Sequence, residues 1–314
     1  MANHTSAKRK YPDIHGIILL NKPKGISSNL ALQKLRHLIQ AKKAGHSGNL
    51  DPMATGLLPC CFGDATKVAH LLLNSDKTYL ARCVLGSQTD TGDATGEVIN
   101  TAPKTQATTA EIEQACLALT GDTQQIPPMY SALHHEGQRL YDLARQGKTV
   151  ERPARPVTIH QFQLLDNQVD YIDFEIKVSK GTYIRTLLED FAVELGTLAH
   201  MSALHRTQSG VFSGEQMLTL EQIEAMINNE AGLGGCLMPM QQALTEYPSL
   251  RLTEQQTTDL IHGKKISTVS VNNTYAMYDH AGYFIGIGVV ENQLLRVKNI
   301  FMKSYVQSQE KQLG

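Results

Sequence analysis

The sequence predicts an α+β protein in which a large mixed domain is followed by a small β-rich one. Apolar residues recur at helical spacing in the first part of the chain, as at Leu32, Leu35 and Ile39. Strictly alternating runs such as Ile172–Val178 lie between the helical segments and indicate half-buried strands. After Pro248 the pattern changes to short strands separated by turn residues.

The first half of the chain is predicted to alternate between strands and helices. Residues 14–20 form an apolar run that ends in a turn with Pro23 and Gly25, which is typical of a strand. Ser27 or Ser28 then caps a helix that ends near Gly45. The next predicted elements are a helix capped by Asp64, a strand over Lys77–Leu85 and a helix behind the capping box Thr108-x-x-Glu111.

The second half is predicted to contain three more helices and a late group of strands. A turn at residues 180–182 leads into a helix that ends at Gly196. Two further helices begin at Thr219-x-x-Gln222 and Thr253-x-x-Gln256, each with a capping-box pattern. The late strands are residues 266–271, 274–279, 283–290 and 294–301.

Composition indicates an ordinary globular chain. It has 314 residues, 41% of them hydrophobic and 19% charged, enough to bury a sizeable core. We expect a flexible basic tail over residues 1–12, a large domain over 13–247 and a small domain over 248–314. No run reaches the roughly 18 apolar residues of a membrane span, and the polar N-terminus lacks the apolar stretch of a secretion signal. We therefore expect a cytoplasmic protein without membrane contact.

Charge is unevenly distributed although the net charge is only −1. The first fifty residues carry nine Lys and Arg against the single acidic residue Asp13. Such a segment can form a basic face that contacts phosphates, or its charges can scatter over a solvated surface once folded. The residues alone leave both interpretations open.

Residues 123–156 interrupt the regular pattern. Four prolines, two glycines and many polar residues leave room for only a short helix near Leu140–Arg145. A long irregular segment inside a compact domain is usually a binding loop or a lid.

The loop over residues 45–63 contains the strongest candidate for chemistry. Gly45, Gly48 and Gly56 mark a tightly turned chain, and Pro52 restricts the backbone of Asp51. A carboxylate on a rigid loop suits a nucleophile or a base, because its geometry is set before substrate arrives. Composition and turn residues alone favour a purely structural bend, in which Asp51 and Pro52 only start a turn.

The stretch Gly45-His-Ser-Gly-Asn-Leu-Asp-Pro-Met-Ala-Thr-Gly-Leu-Leu-Pro59 resembles the signature of the TruB family of tRNA pseudouridine synthases. Other segments resemble further family motifs in the family order. The resemblance covers about residues 14–215 and continues more weakly from Pro248 into a PUA-like domain. It implies the pseudouridine synthase fold, a mixed and mainly antiparallel sheet with flanking helices and a central cleft. The other matching segments are 16–27, 76–79, 85–93, 125–133 and 180–187.

The resemblance implies roles for individual residues. Asp51 matches the catalytic carboxylate, Arg185 the arginine that pairs with it, and Tyr79 the aromatic residue that stacks on the target base. A surface arginine at a helix start would oppose the helix dipole, which favours the functional interpretation of Arg185. The carboxylate either attacks the sugar or base or assists a glycal-like intermediate, and the sequence leaves these routes open.

Four more residues are predicted to contact substrate by the same resemblance. Leu204 and Tyr183 match pocket residues, and His46 matches the residue that enters the space left by an extruded base. Lys22 is interpreted as a phosphate contact, together with Lys24. The insertion over about 123–156 is expected to clasp RNA with Arg139, Arg145, Lys148, Arg152 and Arg155.

The implied reaction isomerises uridine 55 in the T-loop of tRNA, with no change in oxidation state. We therefore expect no cofactor and no metal, and the chain has neither a nucleotide-binding motif nor a His/Cys cluster at ligand spacing. The expected partner is the T-arm of tRNA, and the expected form is a monomer without an obligate protein partner. Two alternatives are an RNA-binding protein without turnover and a synthase that acts on another RNA with guide RNAs.

Overall fold

The computed structural model describes residues 13–230 and 232–313. The predicted basic tail over residues 1–12 lies outside the described residues. None of the described helices is long and apolar enough to cross a membrane. The helices are α1 (Ser28–Leu38), α2 (Ala69–Leu73), α3 (Thr109–Leu119), α4 (Leu140–Arg145), α5 (Ile184–Glu194), α6 (Leu220–Ile227), α7 (Glu254–Ile261) and α8 (Met302–Leu313).

The strands of the described residues belong to two larger sheets and two short hairpins. They are β1 (Gly16–Lys22), β2 (Ala44–His46), β3 (Thr55–Phe62), β4 (Lys77–Leu85), β5 (Ser87–Thr89), β6 (Val98–Thr101), β7 (Gly121–Gln125), β8 (His134–His135), β9 (Gln138–Arg139), β10 (Arg155–Asn167), β11 (Ile172–Val178), β12 (Ala199–Ser209), β13 (Phe212–Ser213), β14 (Ser249–Arg251), β15 (Ile266–Ser267), β16 (Asn273–Tyr278), β17 (Phe284–Glu291) and β18 (Leu294–Ile300).

The side-chain caps predicted for α1, α3, α6 and α7 are confirmed. Ser27, rather than Ser28, caps α1 and accepts a hydrogen bond from Leu30 N at 3.2 Å. The three predicted capping boxes, at Thr108, Thr219 and Thr253, are all formed. Each satisfies backbone N–H groups that the first turn of a helix leaves free.

The large sheet is mixed and mainly antiparallel, as expected. Its strand order is β1, β3, β12, β4, β11, β10 and β7, with β2 added to β3 and β13 to β12. The pairing of β3 with β12 is parallel, whereas its other ladders are antiparallel. Helices α3 and α5 contribute to the core on one face, where Phe162, Phe174 and Phe191 stack edge to face.

Strands β1 and β3 are buried on both faces. Ile17 and Leu19 belong to one hydrophobic cluster and Ile18 and Leu20 to another, because successive side chains of a strand point to opposite faces. Helices α1 and α6 contribute to the second cluster. The first includes apolar residues of the C-terminal sheet, so the two sheets share a core.

The C-terminal sheet has the order β14, β16, β17, β18 and β15, and it confirms the β-rich character predicted after Pro248. The chain then forms α8, although the pattern after Phe301 was interpreted without a helix. The prediction that Asp64 caps a nearby helix is wrong. Its Oδ2 accepts from the backbone N of Lys303 at 3.1 Å and of Ser304 at 3.3 Å, so it caps α8 from a distant part of the chain.

The irregular segment over residues 126–154 projects between β7 and β10, which pair with each other at its base. The short helix predicted near Leu140 is present as α4. A small hairpin, β8 and β9, precedes it. The ends of the segment are therefore tied to the large sheet next to the start of α5, because Gln125 on β7 hydrogen-bonds to Tyr183.

Candidate active site

Asp51 lies on the loop between β2 and β3, and both of its chain neighbours are fixed. The Ser28 hydroxyl accepts a hydrogen bond from Leu50 N at 2.8 Å and donates to Leu50 O at 3.1 Å. The Pro52 carbonyl accepts from Gly25 N at 2.7 Å. The turn after β1 and the first residue of α1 thus hold the loop on each side of the carboxylate, so its position does not depend on substrate.

Gly56 at the end of this loop is required by close packing. Its φ is +100°, a conformation that side chains other than glycine rarely adopt. A Cβ atom there would also collide with the backbone of Arg206 on β12. The parallel contact between β3 and β12, which brings the loop over the sheet, therefore needs a glycine at this position.

Arg185 forms an ion pair with Asp51. Its Nε lies 3.0 Å from Asp51 Oδ2, and its Nη2 donates to Oδ1 at 3.4 Å. The Arg185 side chain is 4% exposed, whereas that of Asp51 is 37% exposed. The carboxylate is thus the accessible member of the pair, and the guanidinium binds it from the interior of the protein.

The two terminal nitrogens of Arg185 also bind main-chain carbonyl groups. Nη1 donates to Thr91 O at 2.7 Å, and Nη2 donates to Tyr130 O at 2.7 Å. A second carboxylate, Asp93, lies 4.0 Å from Nε. The guanidinium plane is consequently fixed by three separate segments of the chain, which orients the nitrogens that face Asp51.

The electrostatics of Asp51 balance two opposing effects. Desolvation raises the pKa of its carboxyl group, and the Arg185 guanidinium lowers it, while the negative charge of Asp93 adds to the rise. The net direction is upward from the ordinary pKa of an aspartate. Lys22 lowers the pKa as well, but less than Arg185 does, so without Arg185 desolvation would be opposed only weakly.

Tyr79 and Leu204 lie in the same hydrophobic cluster as two residues of the loop. Tyr79 is 8% exposed and Leu204 7% exposed, and their cluster includes Leu50 and Met53 on either side of Asp51. Strand β12 pairs with β4, and Leu204 lies opposite Ala81, two residues along β4 from Tyr79. An apolar wall with one aromatic ring therefore lies next to the loop that holds the carboxylate.

Tyr183 and His46 each lie close in the chain to a member of the ion pair. Tyr183 is the residue before α5, two positions ahead of Arg185, and burial raises the pKa of its phenol. His46 ends β2, five positions before Asp51. Burial and the nearby Arg206 cation lower the pKa of His46, so its imidazole is neutral at neutral pH.

Three family models match the chain in succession. Residues 36–184 match the N-terminal domain of "TruB family pseudouridylate synthase", residues 185–245 the "tRNA pseudouridylate synthase B C-terminal domain", and residues 248–300 the "Pseudouridine synthase II TruB, C-terminal" model. A protein of Hydrogenovibrio crunogenus named tRNA pseudouridine synthase B is 44% identical over 94% of this chain and 96% of its own length. The chain belongs to the TruB family. A second TruB relative, from Nitrosococcus oceani and with the same name, is 50% identical over 76% of this chain and 78% of its own.

Solved structures support the pseudouridine synthase fold for this TruB chain. A chain in the structure titled "Crystal Structure of a Cbf5-Nop10-Gar1 Complex" superposes with a TM-score of 0.71, covering 92% of this chain and 85% of that one. A Nop10-Cbf5 complex gives a TM-score of 0.68. Sequence identities are 23% and 21%, so these likenesses concern the fold alone.

The interpretation of Lys22 as a phosphate contact is wrong for this TruB chain. The residue is 0% exposed, and its Nζ donates to the carbonyl oxygens of Pro23 at 2.8 Å, Ile26 at 2.7 Å and Pro52 at 3.4 Å. Burial lowers its pKa to about 8, against the opposing effect of Asp51. All three donors are occupied inside the protein, so none is directed to RNA, whereas Lys24 is exposed.

Several residues that form the site were missed by sequence reasoning. Ser28 was considered only as a helix cap, and Asp93 and Tyr130 lie in segments that resemble family motifs but were given no role. Their contacts with Leu50 and Arg185 span long sequence separations, and nothing local in the sequence encodes them. Segments 85–93 and 125–133 were the available signal, because each contains residues that contact Arg185.

Proposed function

We propose that this TruB-family protein converts uridine 55 in the T-loop of tRNA to pseudouridine, with Asp51 as the catalytic carboxylate. The observation that carries the proposal is the accessible Asp51 carboxylate held 3.0 Å from the buried Arg185 guanidinium on a braced loop. The relatives named tRNA pseudouridine synthase B support the substrate and the reaction. The protein is accordingly an isomerase of tRNA.

The reaction cuts the bond between uracil N1 and the ribose, turns the base and joins its C5 to the same sugar carbon. C5 then loses its proton and N1 ends protonated, so the overall change is an isomerisation. Asp51 acts as an ionised carboxylate at the reacting sugar and base, in either the covalent or the glycal route. Arg185 keeps the carboxylate aligned and counters the desolvation that raises its pKa. Tyr79 stacks on the uracil ring, and Leu204 and Tyr183 close the pocket around it.

The base must leave its stack before Asp51 can reach it. Extrusion of a nucleotide costs a few kcal/mol, which contacts elsewhere on the RNA must offset. His46 fills the vacated position as a neutral imidazole, consistent with its lowered pKa. The insertion over about 123–156 clasps the RNA, and its Arg145, Lys148 and Arg155 are exposed for phosphate contact.

The two domains have different roles in this proposal. Residues 13–247 form the catalytic domain, and residues 248–314 form a PUA-like domain that binds RNA. The protein acts on tRNA as a monomer in the cytoplasm, without an obligate protein partner. The chain carries its own insertion and C-terminal sheet, which supports a stand-alone enzyme rather than one that depends on guide RNAs.

The test uses unmodified tRNA transcript, wild-type protein and Asp51→Asn. Pseudouridine is mapped by carbodiimide-dependent reverse-transcription stops. We expect a stop at position 55 with wild type and a rate at least about 10³-fold lower with Asp51→Asn, because a neutral amide cannot replace the carboxylate. The matched control is Asp173→Asn, since Asp173 pairs with Arg82 at 2.7 Å on the sheet face opposite Tyr79.

Each outcome has a distinct meaning. A wild-type protein that binds tRNA but leaves uridine 55 unchanged would support an RNA-binding protein without turnover. Modification of a different RNA alone, or only in the presence of a guide RNA, would contradict the substrate. An Asp51→Asn variant as active as Asp173→Asn would remove Asp51 from the mechanism.

A further inference from the structure

Gln125 makes two hydrogen bonds to one residue of the main chain. Its Oε1 accepts from Tyr183 N at 2.7 Å, and its Nε2 donates to Tyr183 O at 3.1 Å. Gln125 is 5% exposed, so these bonds form where water does not compete well. Each polar atom of the carboxamide therefore makes a hydrogen bond within the protein.

Tyr183 is the residue that precedes α5, and this helix lacks the usual features of a stable start. No side chain of its own caps the helix, and its first turn contains no acidic residue. That first turn instead carries Arg185, a cation at the positive end of the helix dipole. The other long helices of the large domain, α1 and α3, each begin with a side-chain cap.

The start of α5 sets the position of the Arg185 guanidinium. The Asp51 pair depends on nitrogen–oxygen distances of 3.0 and 3.4 Å, and a displacement of about 1 Å in a catalytic arrangement can lower rates about 10²-fold. An uncapped helix end is prone to fraying, which would move Arg185 along with the first turn.

The segment that begins with Gln125 also contacts Arg185 directly. Tyr130 O, five residues later, accepts from Arg185 Nη2 at 2.7 Å. Gln125 is the last residue of β7, paired with Arg155 at the base of the insertion. One short stretch of chain therefore braces the helix start through Gln125 and the guanidinium itself through Tyr130.

We propose that Gln125 is a positioning residue, which holds the main chain of Tyr183 so that α5 presents Arg185 to Asp51. It acts through Arg185 and does not touch the substrate. The inference rests on the proposed function, because it concerns the alignment of that catalytic pair.

The test compares Gln125→Met, which keeps the length of the side chain but makes neither hydrogen bond, with Gln114→Met at an exposed position of α3, outside the insertion. Single-turnover rates on tRNA transcript are measured at saturating protein, and RNA affinity is measured by filter binding. We expect Gln125→Met to lower the rate about 10- to 100-fold with the Kd within about twofold of wild type. Gln114→Met should match wild type in both.

Two further readouts separate positioning from a general loss of structure. The acidic limb of the pH–rate profile should move to higher pH in Gln125→Met, because a displaced Arg185 opposes the desolvation of Asp51 less well. In an Arg185→Met background the added Gln125→Met change should lower the rate no further, since Gln125 acts only through that arginine. If Gln125→Met does not fold, Gln125→Glu, which keeps the acceptor for Tyr183 N, serves in its place.

The outcomes distinguish this inference from the proposed function. A wild-type protein that does not modify uridine 55 contradicts the function. A wild type that does modify it, with Gln125→Met equally fast, contradicts only the positioning role. Equal losses of rate and affinity, an unchanged acidic limb, or additive losses in the double variant would each also overturn it.

Discussion

The Lys22 ammonium donates a hydrogen bond to the carbonyl oxygen of Pro52, the residue that follows Asp51 in the chain. The same group binds the carbonyl oxygens of Pro23 and Ile26, so one buried cation joins the turn after β1 to the Asp51 loop. A buried lysine with three carbonyl partners contributes to structure, because its removal leaves acceptors without donors.

Replacing Lys22 should therefore affect stability more than RNA binding. We expect Lys22→Ala to lower the free energy of unfolding by about 2–4 kcal/mol, from the lost packing and the unsatisfied carbonyls. Lys24→Ala, at an exposed position, should change it by less than about 0.5 kcal/mol. Denaturant unfolding measures both. If the slope of log Kd against log salt were smaller in Lys22→Ala than in wild type, Lys22 would contact a phosphate after all.

Replacing Arg185 should affect turnover far more than RNA affinity. We expect Arg185→Met to lower the single-turnover rate at least about 10²-fold, because the carboxylate loses its alignment and its counter-charge. Asp51 must be ionised to act, and without the guanidinium its pKa rises further, so the acidic limb of the pH–rate profile should move to higher pH.

Arg82→Met is the matched control, since Arg82 also binds a carboxylate through two nitrogens, at 2.8 and 2.7 Å. It should retain the wild-type rate and pH profile. Equal losses of rate and affinity in Arg185→Met would exclude Arg185 from the catalytic set.

Two substitutions at Tyr79 separate its ring from its hydroxyl. If the ring stacks on uracil and the hydroxyl moves a proton, Tyr79→Phe should keep RNA affinity and lower the rate, and Tyr79→Leu should lower the rate further. Stacking of a base on an aromatic ring contributes about 1–3 kcal/mol. Single-turnover assays and filter binding on the same transcript measure the two effects. Full activity of Tyr79→Leu would show that the residue serves only the core cluster.

Removal of Asp64 should loosen the contact between the two sheets. Its carboxylate caps α8 and pairs with Lys67 at 2.9 Å, and Lys67 Nζ also donates to Ile300 O at 2.7 Å. We expect Asp64→Ala to lower the free energy of unfolding by about 1–3 kcal/mol. The control Asp13→Ala, which removes an exposed pair with Lys303, should cost less than about 0.5 kcal/mol.

The loss of unfolding free energy caused by Asp64→Ala should also depend on pH. Burial alone would raise the pKa of this carboxyl group, but Lys67 and the Ser304 N–H outweigh it, and the net pKa is lowered. The stabilisation is therefore present above the pKa of the unfolded chain and is lost as the pH falls through the lower folded-state value. Denaturant unfolding of wild type and Asp64→Ala at several acidic pH values should show their difference shrinking. A constant difference would contradict the ion-pair origin.

Much of the local structure could be predicted from the residues alone. The capping boxes at Thr108, Thr219 and Thr253 and the short helix near Leu140 depend on neighbours within a few positions, and the structure contains them all. Helix α8 was missed because the strand pattern before it continues to Phe301 and the signal that starts it, Asp64, lies far away in the chain.

By itself, the sequence determined the family of the chain and the position of Asp51, because a long glycine- and proline-rich signature constrains a loop through adjacent residues. The tertiary structure decided which side chains support that carboxylate. Lys22 is buried and binds the Pro52 carbonyl, and Ser28 hydrogen-bonds to Leu50. Gln125 hydrogen-bonds to Tyr183 at the base of the insertion. Burial and long-range hydrogen bonds arise when distant strands pair, and a residue's immediate neighbours in the chain carry no record of those partners.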